Sequence, residues 1–372
     1  MFVKYILYYN NMNIFCLFSL LCFTNVGSVS LLYMKKNMND KFSFLYKFTH
    51  LYKPYPIITT NNHYLNILQE KNPQHIFLSK IKSYLRLIRY KNIIPTLGLS
   101  YTGAFLVNPS FYTIITSKNL LISTLIIIGT MSSSMIMNDL FDMKIDKINN
   151  PTRPLITGEV SEKEAHILNA FILLGVEILN MLYLPRKFQN MIHLILFSLF
   201  IYTPKIKKMT FLKNIYCASI VSFSTYFSAM VYSLSLSSQS IQNIHLLNLF
   251  SQTIFFGSLF NEILLDIRDR EGDYVNNIRT LPVIYGNSNA LMVASGILKM
   301  NFIWNMYRII ELFGLKYVLF VPFIFLPIMY GVKKIRGYDY NPSVVIETTH
   351  IGTKSLLLVL VYYCFMAKTK KF

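Results

Sequence analysis

From residue 93 to residue 366 the chain repeats one pattern: an apolar run, a short polar break, then another apolar run. The runs lie at 93–107 and roughly 120–137, 165–183, 188–202, 215–235, 246–265, 290–306, 316–332 and 343–366. Several approach the ~20 residues an α-helix needs to cross hydrocarbon. A segment in lipid must satisfy its own backbone hydrogen bonds, which leaves helices or closed barrels, and runs of this length exclude barrel strands. With 53% hydrophobic and only 14% charged residues, the chain carries more apolar surface than a soluble core can use. The pattern predicts an all-α integral membrane protein, a bundle of nine transmembrane helices.

The formal net charge of +19 would favour nucleic acid in a soluble protein. Here the basic residues sit in the breaks between apolar runs, so no nucleic-acid partner is expected and the charges read as topology signals and phosphate ligands. Five precede the first run (Lys80, Lys82, Arg86, Arg89, Lys91), and the loops returning to that side each carry three or four. Residues 79–372 therefore form one membrane domain. Residues 1–30 resemble a signal peptide, with Lys4 ahead of an apolar run from Ile14 to Phe23. Residues 31–78 are basic and acid-poor, as transit peptides are. Together they suggest a plastid address, with the mitochondrial inner membrane or endoplasmic reticulum as alternatives, and a tail of merely biased composition as the bland reading. The four cysteines show no metal or disulfide spacing.

Two acidic clusters stand out against this background. Asn138-Asp-Leu-Phe-Asp142-Met-Lys-Ile-Asp146 closes the second run, and at helical spacing Asn138, Asp142 and Asp146 share one stripe with Asp139 beside them. Asp266, Asp269 and Asp273 close the sixth run on one face, with Glu262 a turn earlier. Like charges about 4 Å apart repel by roughly 4 kcal/mol at an effective dielectric of about 20, so a cation or a neutralising proton is implied. Oxygen-only ligands suit Mg²⁺. If both clusters face each other on one membrane side, they can hold two Mg²⁺ ions with a diphosphate between them.

The NDxxDxxxD of Asn138–Asp146, the following Arg153-Pro154 and Gly158, and Asp269-x-x-x-Asp273 with Arg279-Thr280 resemble the UbiA superfamily of intramembrane prenyltransferases. The resemblance covers about residues 80–370. It implies nine helices around a central cavity, with Mg²⁺ and a polyprenyl diphosphate at the acidic mouth. It assigns Asn138, Asp142 and Asp146 to a first metal and Asp269 and Asp273 to a second, with Asp139 and Asp266 as supporting carboxylates; Asp142, Asp146, Asp269 and Asp273 are the catalytic set. Diphosphate binding falls to Arg153, Arg279, Asn92 and the stretch Tyr202-Thr-Pro-Lys205-Ile-Lys207-Lys208, where an extra residue leaves open which lysine touches phosphate. Asn277 stands where similar sequences place glycine; Asn tolerates a left-handed backbone next best.

The implied reaction is Mg-dependent transfer of a polyprenyl group to an acceptor within the membrane. The short interval from Asp146 to Arg153 looks closest to homogentisate prenyltransferases, chlorophyll synthases and lipid-prenylating relatives. An aromatic quinone or tocopherol precursor is the first acceptor reading, with a chlorin or a lipid as alternatives. A multi-helix transporter is the reading from another class; its acids would lie near the midplane on broken helices rather than at helix ends. No HExxH, GxGxxG or GxxxxGK[ST] pattern occurs, which argues against histidine-bound metal and nucleotide chemistry.

Overall fold

The computed structural model describes residues 73–202, 205–236 and 244–369. Residues 1–30 and 31–72, on which the leader readings rest, lie outside the described residues, and the boundary expected at residue 79 falls inside the first helix. In chain order the α-helices are α1 (Pro73–Leu87), α2 (Ile93–Val107), α3 (Phe111–Thr116), α4 (Lys118–Phe141), α5 (Met143–Asn149), α6 (Glu162–Tyr183) and α7 (Arg186–Tyr202). They continue as α8 (Leu212–Ser233), α9 (Ile244–Val275), α10 (Leu281–Phe313), α11 (Leu315–Val318), α12 (Val321–Gly337) and α13 (Pro342–Thr369). Short 3₁₀ turns at Tyr90–Asn92 and Ile206–Lys208 join α1 to α2 and precede α8. No strand occurs among the described residues.

Local chemistry sets the helix ends. Ser117 Oγ accepts from Leu120 N at the start of α4, and Ser161 with Glu164 forms a reciprocal capping box on α6. Pro282 fits the first turn of α10, where its missing N–H costs nothing. Gly286, at φ 81°, interrupts that same helix.

Each of the nine apolar runs lies in helix, but six helical segments among the described residues are long and apolar enough to cross a membrane. They are Lys118–Phe141, Glu162–Tyr183, Leu212–Ser233, Leu281–Phe313, Leu315–Gly337 and Pro342–Thr369. The other three runs fall in α2, with 15 residues, α7, with 17, and α9, whose 32 residues end in the second acidic cluster. The expected count of nine spans therefore rests on two short helices and one whose apolar part is interrupted by Asn248, Gln252, Asn261 and Glu262.

Packing in lipid gains little from water exclusion, so close backbone approach and polar contacts decide it. A Cβ added to Gly103 on α2 would stand 2.5 Å from Thr225 O on α8, so these two helices meet where no side chain fits. Gly331 on α12 meets Thr348 on α13 in the same way. The largest apolar cluster joins α2, α9, α10, α12 and α13, and a second joins α4, α6, α7 and α8. Within the first, Thr253 of α9, Asn305 of α10 and Tyr363 of α13 close a buried triangle. Thr253 Oγ1 is 2.9 Å from Tyr363 Oη and donates to Asn305 Oδ1 at 3.0 Å, and Tyr363 Oη donates to the same oxygen at 2.5 Å. These buried polar contacts tie α9 to α10 and α13 at one height.

Candidate active site

The first cluster sits at a helix break. α4 stops at Phe141, Asp142 takes φ −90° and ψ 5°, and α5 begins at Met143. The i−4 backbone bonds run through the break nonetheless: Asp142 N donates to Asn138 O at 2.9 Å and Asp146 N to Asp142 O at 2.8 Å. The stripe expected from spacing thus survives the break, and Asp139, Asp142 and Asp146 are all buried.

Buried carboxylates require partners, and each of these has a cation. Arg153 Nη1 lies 2.8 Å from Asp139 Oδ1 and also contacts Asp146 Oδ2. Arg89 Nη2 approaches Asp139 Oδ1 from the other side, at 2.8 Å. Lys207 Nζ contacts Asp142 Oδ2 and lies 3.3 Å from Asn138 Oδ1. Burial pushes the Asp146 carboxyl above its ordinary range against the pull of Arg153, and Asp139 and Asp142 push the same way. Arg153 reaches this position because the loop behind it is folded back. Ile156 N and Thr157 N donate to Arg153 O, Val160 N donates to Pro154 O, and Gly158 takes φ 76°. Leu155 and Val160 anchor that loop beside Leu87 and Ile136.

The second cluster is built differently. Asp266 is buried, with Lys213 Nζ 2.8 Å from Oδ1 and Asn214 Nδ2 donating to Oδ2 at 2.9 Å. Asp269 is exposed and takes both bonds from its neighbour Arg268, at 2.7 and 2.5 Å. Asp273 is half-buried at the end of α9, where its carbonyl accepts from Ile278 N at 2.9 Å and Asn277 turns the chain at φ 55°.

Residues 205–214 reach both clusters. Lys207 bonds to the first, Lys213 and Asn214 to the second, and Thr210 Oγ1 donates to Arg279 O at 2.8 Å. Of the three lysines left open by the sequence, Lys207 touches the acids, while Lys205 and Lys208 are exposed. Tyr202 is buried, stacked on Tyr216 with ring centroids 4.7 Å apart and its hydroxyl 3.2 Å from Cys217 Sγ. Asn92 is buried, with its carbonyl accepting from Thr96 Oγ1 at 2.7 Å, and the Arg279 side chain is exposed.

Sequence reasoning missed Arg89 as a partner of Asp139, and it missed Lys213, Asn214 and Arg268 altogether. An Asn beside a Lys at the mouth of an apolar run was the available signal for Lys213 and Asn214. Among the described residues no three His, Cys, Asp or Glu side chains come together as a metal-holding group; Asp139, Asp142, Asp146, Asp266 and Asp269 are each drawn to a Lys or Arg.

The model of the UbiA prenyltransferase family matches residues 94–344. Digeranylgeranylglyceryl phosphate synthase of Saccharolobus solfataricus is 28% identical over 269 residues, covering 69% of this chain and 92% of the relative. The enzyme of the same name from Methanococcus aeolicus is 26% identical over 292 residues, covering 77% of this chain and 97% of the relative. A solved structure concerned with digeranylgeranylglyceryl phosphate synthase in membranes matches with a TM-score of 0.61 at 21% identity, over 77% of this chain and 98% of that one. A UbiA homologue from Archaeoglobus fulgidus bound to GPP and Mg²⁺ matches with a TM-score of 0.56 at 18% identity, over 77% of this chain and 99% of that one. At these identities the structural likeness shows the fold.

Proposed function

The chain belongs to the UbiA prenyltransferase family, and from that premise we propose that it moves a polyprenyl group from an allylic diphosphate to a lipid-like acceptor, with Mg²⁺ at the two acidic clusters. It is a multi-pass membrane prenyltransferase, so the transporter reading gives way. The observation that carries the proposal is the 205–214 segment, which touches both clusters although Asp142 and Asp266 lie far apart in sequence.

The residues fit the metal. The donors are all oxygens, and beside Asp266 the fully buried Asn214 Oδ1 has no hydrogen-bond partner. Asn138, Asp139, Asp142 and Asp146 would hold one ion, and Asp266, Asp269 and Asp273 the other. When bound, Mg²⁺ neutralises the diphosphate so that it can leave. Arg153, Arg89 and Lys207 lie against those same carboxylates, and they would stabilise the oxygens that gain charge as the allylic C–O bond breaks. Asn92, Tyr202, Lys205, Lys208 and Arg279 would complete the diphosphate site. Apolar packing of α2, α9, α10 and α13 beyond the mouth keeps water from the allylic cation until the acceptor attacks.

Nine spans around a central cavity follow if α2, α7 and α9 also cross, α7 drawing on its flanks for length. For the acceptor, the relatives covered almost end to end are named for a glyceryl phosphate product, which favours a lipid alcohol over an aromatic quinone precursor or a chlorin. Purified protein with Mg²⁺, prenyl diphosphates of increasing length, and glyceryl phosphate lipids or aromatic acceptors is the test. A prenylated lipid found by mass spectrometry supports the reading, and product on the aromatic acceptor alone overturns the lipid assignment. Plastid residence rests on residues 1–78; a reporter fused to them that stays diffuse in the cytosol removes it.

A further inference from the structure

α1 is two-faced in an unusual sense. Its inner face is spent on the loop that carries Arg153 and on the first turn of α6: Arg86 Nη1 lies 2.8 Å from Glu159, Ser83 Oγ donates to Glu159 Oε2 at 2.5 Å, and Lys80 Nζ lies 2.7 Å from Glu164 Oε1 on α6. Arg86 also donates to the carbonyl of Thr152, next to Arg153, and Leu87 on this face is fully buried. The opposite face, read at helical spacing, presents Phe77, Leu78, Ile81 and Leu85, which are 65, 64, 38 and 40% exposed. A soluble helix would bury such a stripe and expose the charges. The apolar surface continues past the helix through exposed Tyr90, Ile94 and Leu97, into α2. Exposed Lys82 and Lys91 flank it.

Fifteen residues with Lys80, Lys82 and Arg86 among them are too short and too charged to span. The continuity with α2, on the side where both acidic clusters stand, points to one occupant. We propose that α1 is an in-plane helix whose outer face inserts into the interfacial layer of the bilayer on the acid-bearing side, while its inner face clips the Arg153 loop in place. Long aromatic and aliphatic side chains below and lysines at the flank are the arrangement such helices use at the boundary between headgroups and acyl chains.

The chain has a single tryptophan, Trp304, so a Trp304→Phe background allows one reporter at a time. Phe77→Trp and, separately, Leu85→Trp in the full chain are placed in vesicles made from lipids brominated near the headgroup end or near the methyl end of the acyl chain. The proposal expects blue-shifted emission, strong loss of intensity with the shallow bromines, a smaller loss with the deep ones, and little loss with aqueous iodide. Quenching by iodide at both positions places the face in water and overturns the proposal. Protection from both quenchers means that protein covers the face, either another segment of this chain or a second copy, and overturns it equally.

Discussion

Lys213 and Asp266 form a buried ion pair, Nζ to Oδ1 at 2.8 Å, at the point where α8 enters the membrane beside the acidic end of α9. Neither side chain is more than 17% exposed. Removing one member of such a pair strands the other charge and costs about 3–5 kcal/mol. Lys213→Met is expected to lower the melting temperature of the detergent-solubilised protein and abolish diphosphate release. Lys213→Met with Asp266→Leu, which removes both charges, should recover much of the thermal stability and none of the activity. Equal melting temperatures for Lys213→Met and the native chain would remove the pair's structural role.

Asp142 and Asp269 test the two halves of the mouth separately. Asp142→Asn and Asp269→Asn keep size and polarity while removing charge, and a lost electrostatic contact of this type costs about 100-fold or more in turnover. Prenyl transfer should fall in both, and EDTA should abolish it in the native enzyme with recovery on added Mg²⁺. Full activity in either variant would exclude that carboxylate from metal binding.

Arg153 bonds to two carboxylates and Arg89 to one. Arg153→Gln should therefore raise KM for the prenyl diphosphate more than Arg89→Gln. The double variant should fall short of the summed free-energy losses, because both act through Asp139. Strict additivity would show that the two guanidiniums work independently.

Glu159 supplies a pH signature. Burial alone would push its carboxyl up, but hydrogen bonds from Ser83 and Arg86 outweigh that and hold it below the ordinary value. A carboxyl lowered by folding contributes stability above its unfolded pKa and loses it as pH falls through the folded one. The pair is partly exposed, so the contribution is about 1 kcal/mol or less. Native protein and Glu159→Gln should differ in melting temperature at neutral pH and converge as the pH drops below about 4. A gap that persists in acid would contradict this.

Gly103→Ala should destabilise, since its Cβ would meet Thr225 O at 2.5 Å and overpacking costs about 1–3 kcal/mol. Gly98→Ala on the same helix, where the nearest atom is Leu360 Cδ1 at 3.8 Å, is the control and should be neutral. Similar melting shifts for both would point to helix propensity rather than contact.

Much of this architecture is written in short-range pattern. Apolar runs locate the helices because lipid leaves the backbone no alternative, and the spacing of Asn138, Asp142 and Asp146 keeps one stripe even where α4 breaks. Asn277 was readable too, since few residues other than glycine accept its left-handed turn. What could not be read is who answers each charge. Arg89 meets Asp139 and Lys207 meets Asp142 across 50 and 65 positions. Such meetings depend on helix packing that no local spacing encodes. The topology rule accounted for Arg89 so readily that its second role was hidden. The membrane spans proved harder to count than to locate, because α2 and α7 are short, with 15 and 17 residues, and α9 gives its last turns to charged residues.

The segment from Lys207 to Asn214 is short, and a short tether transmits displacement. If a phosphate draws Lys207 away from Asp142, the strain reaches Lys213 and the carboxylate it neutralises, so filling one half of the mouth alters the free energy of filling the other. Occupancy of the two clusters is then thermodynamically linked, and a titration of either would report on both.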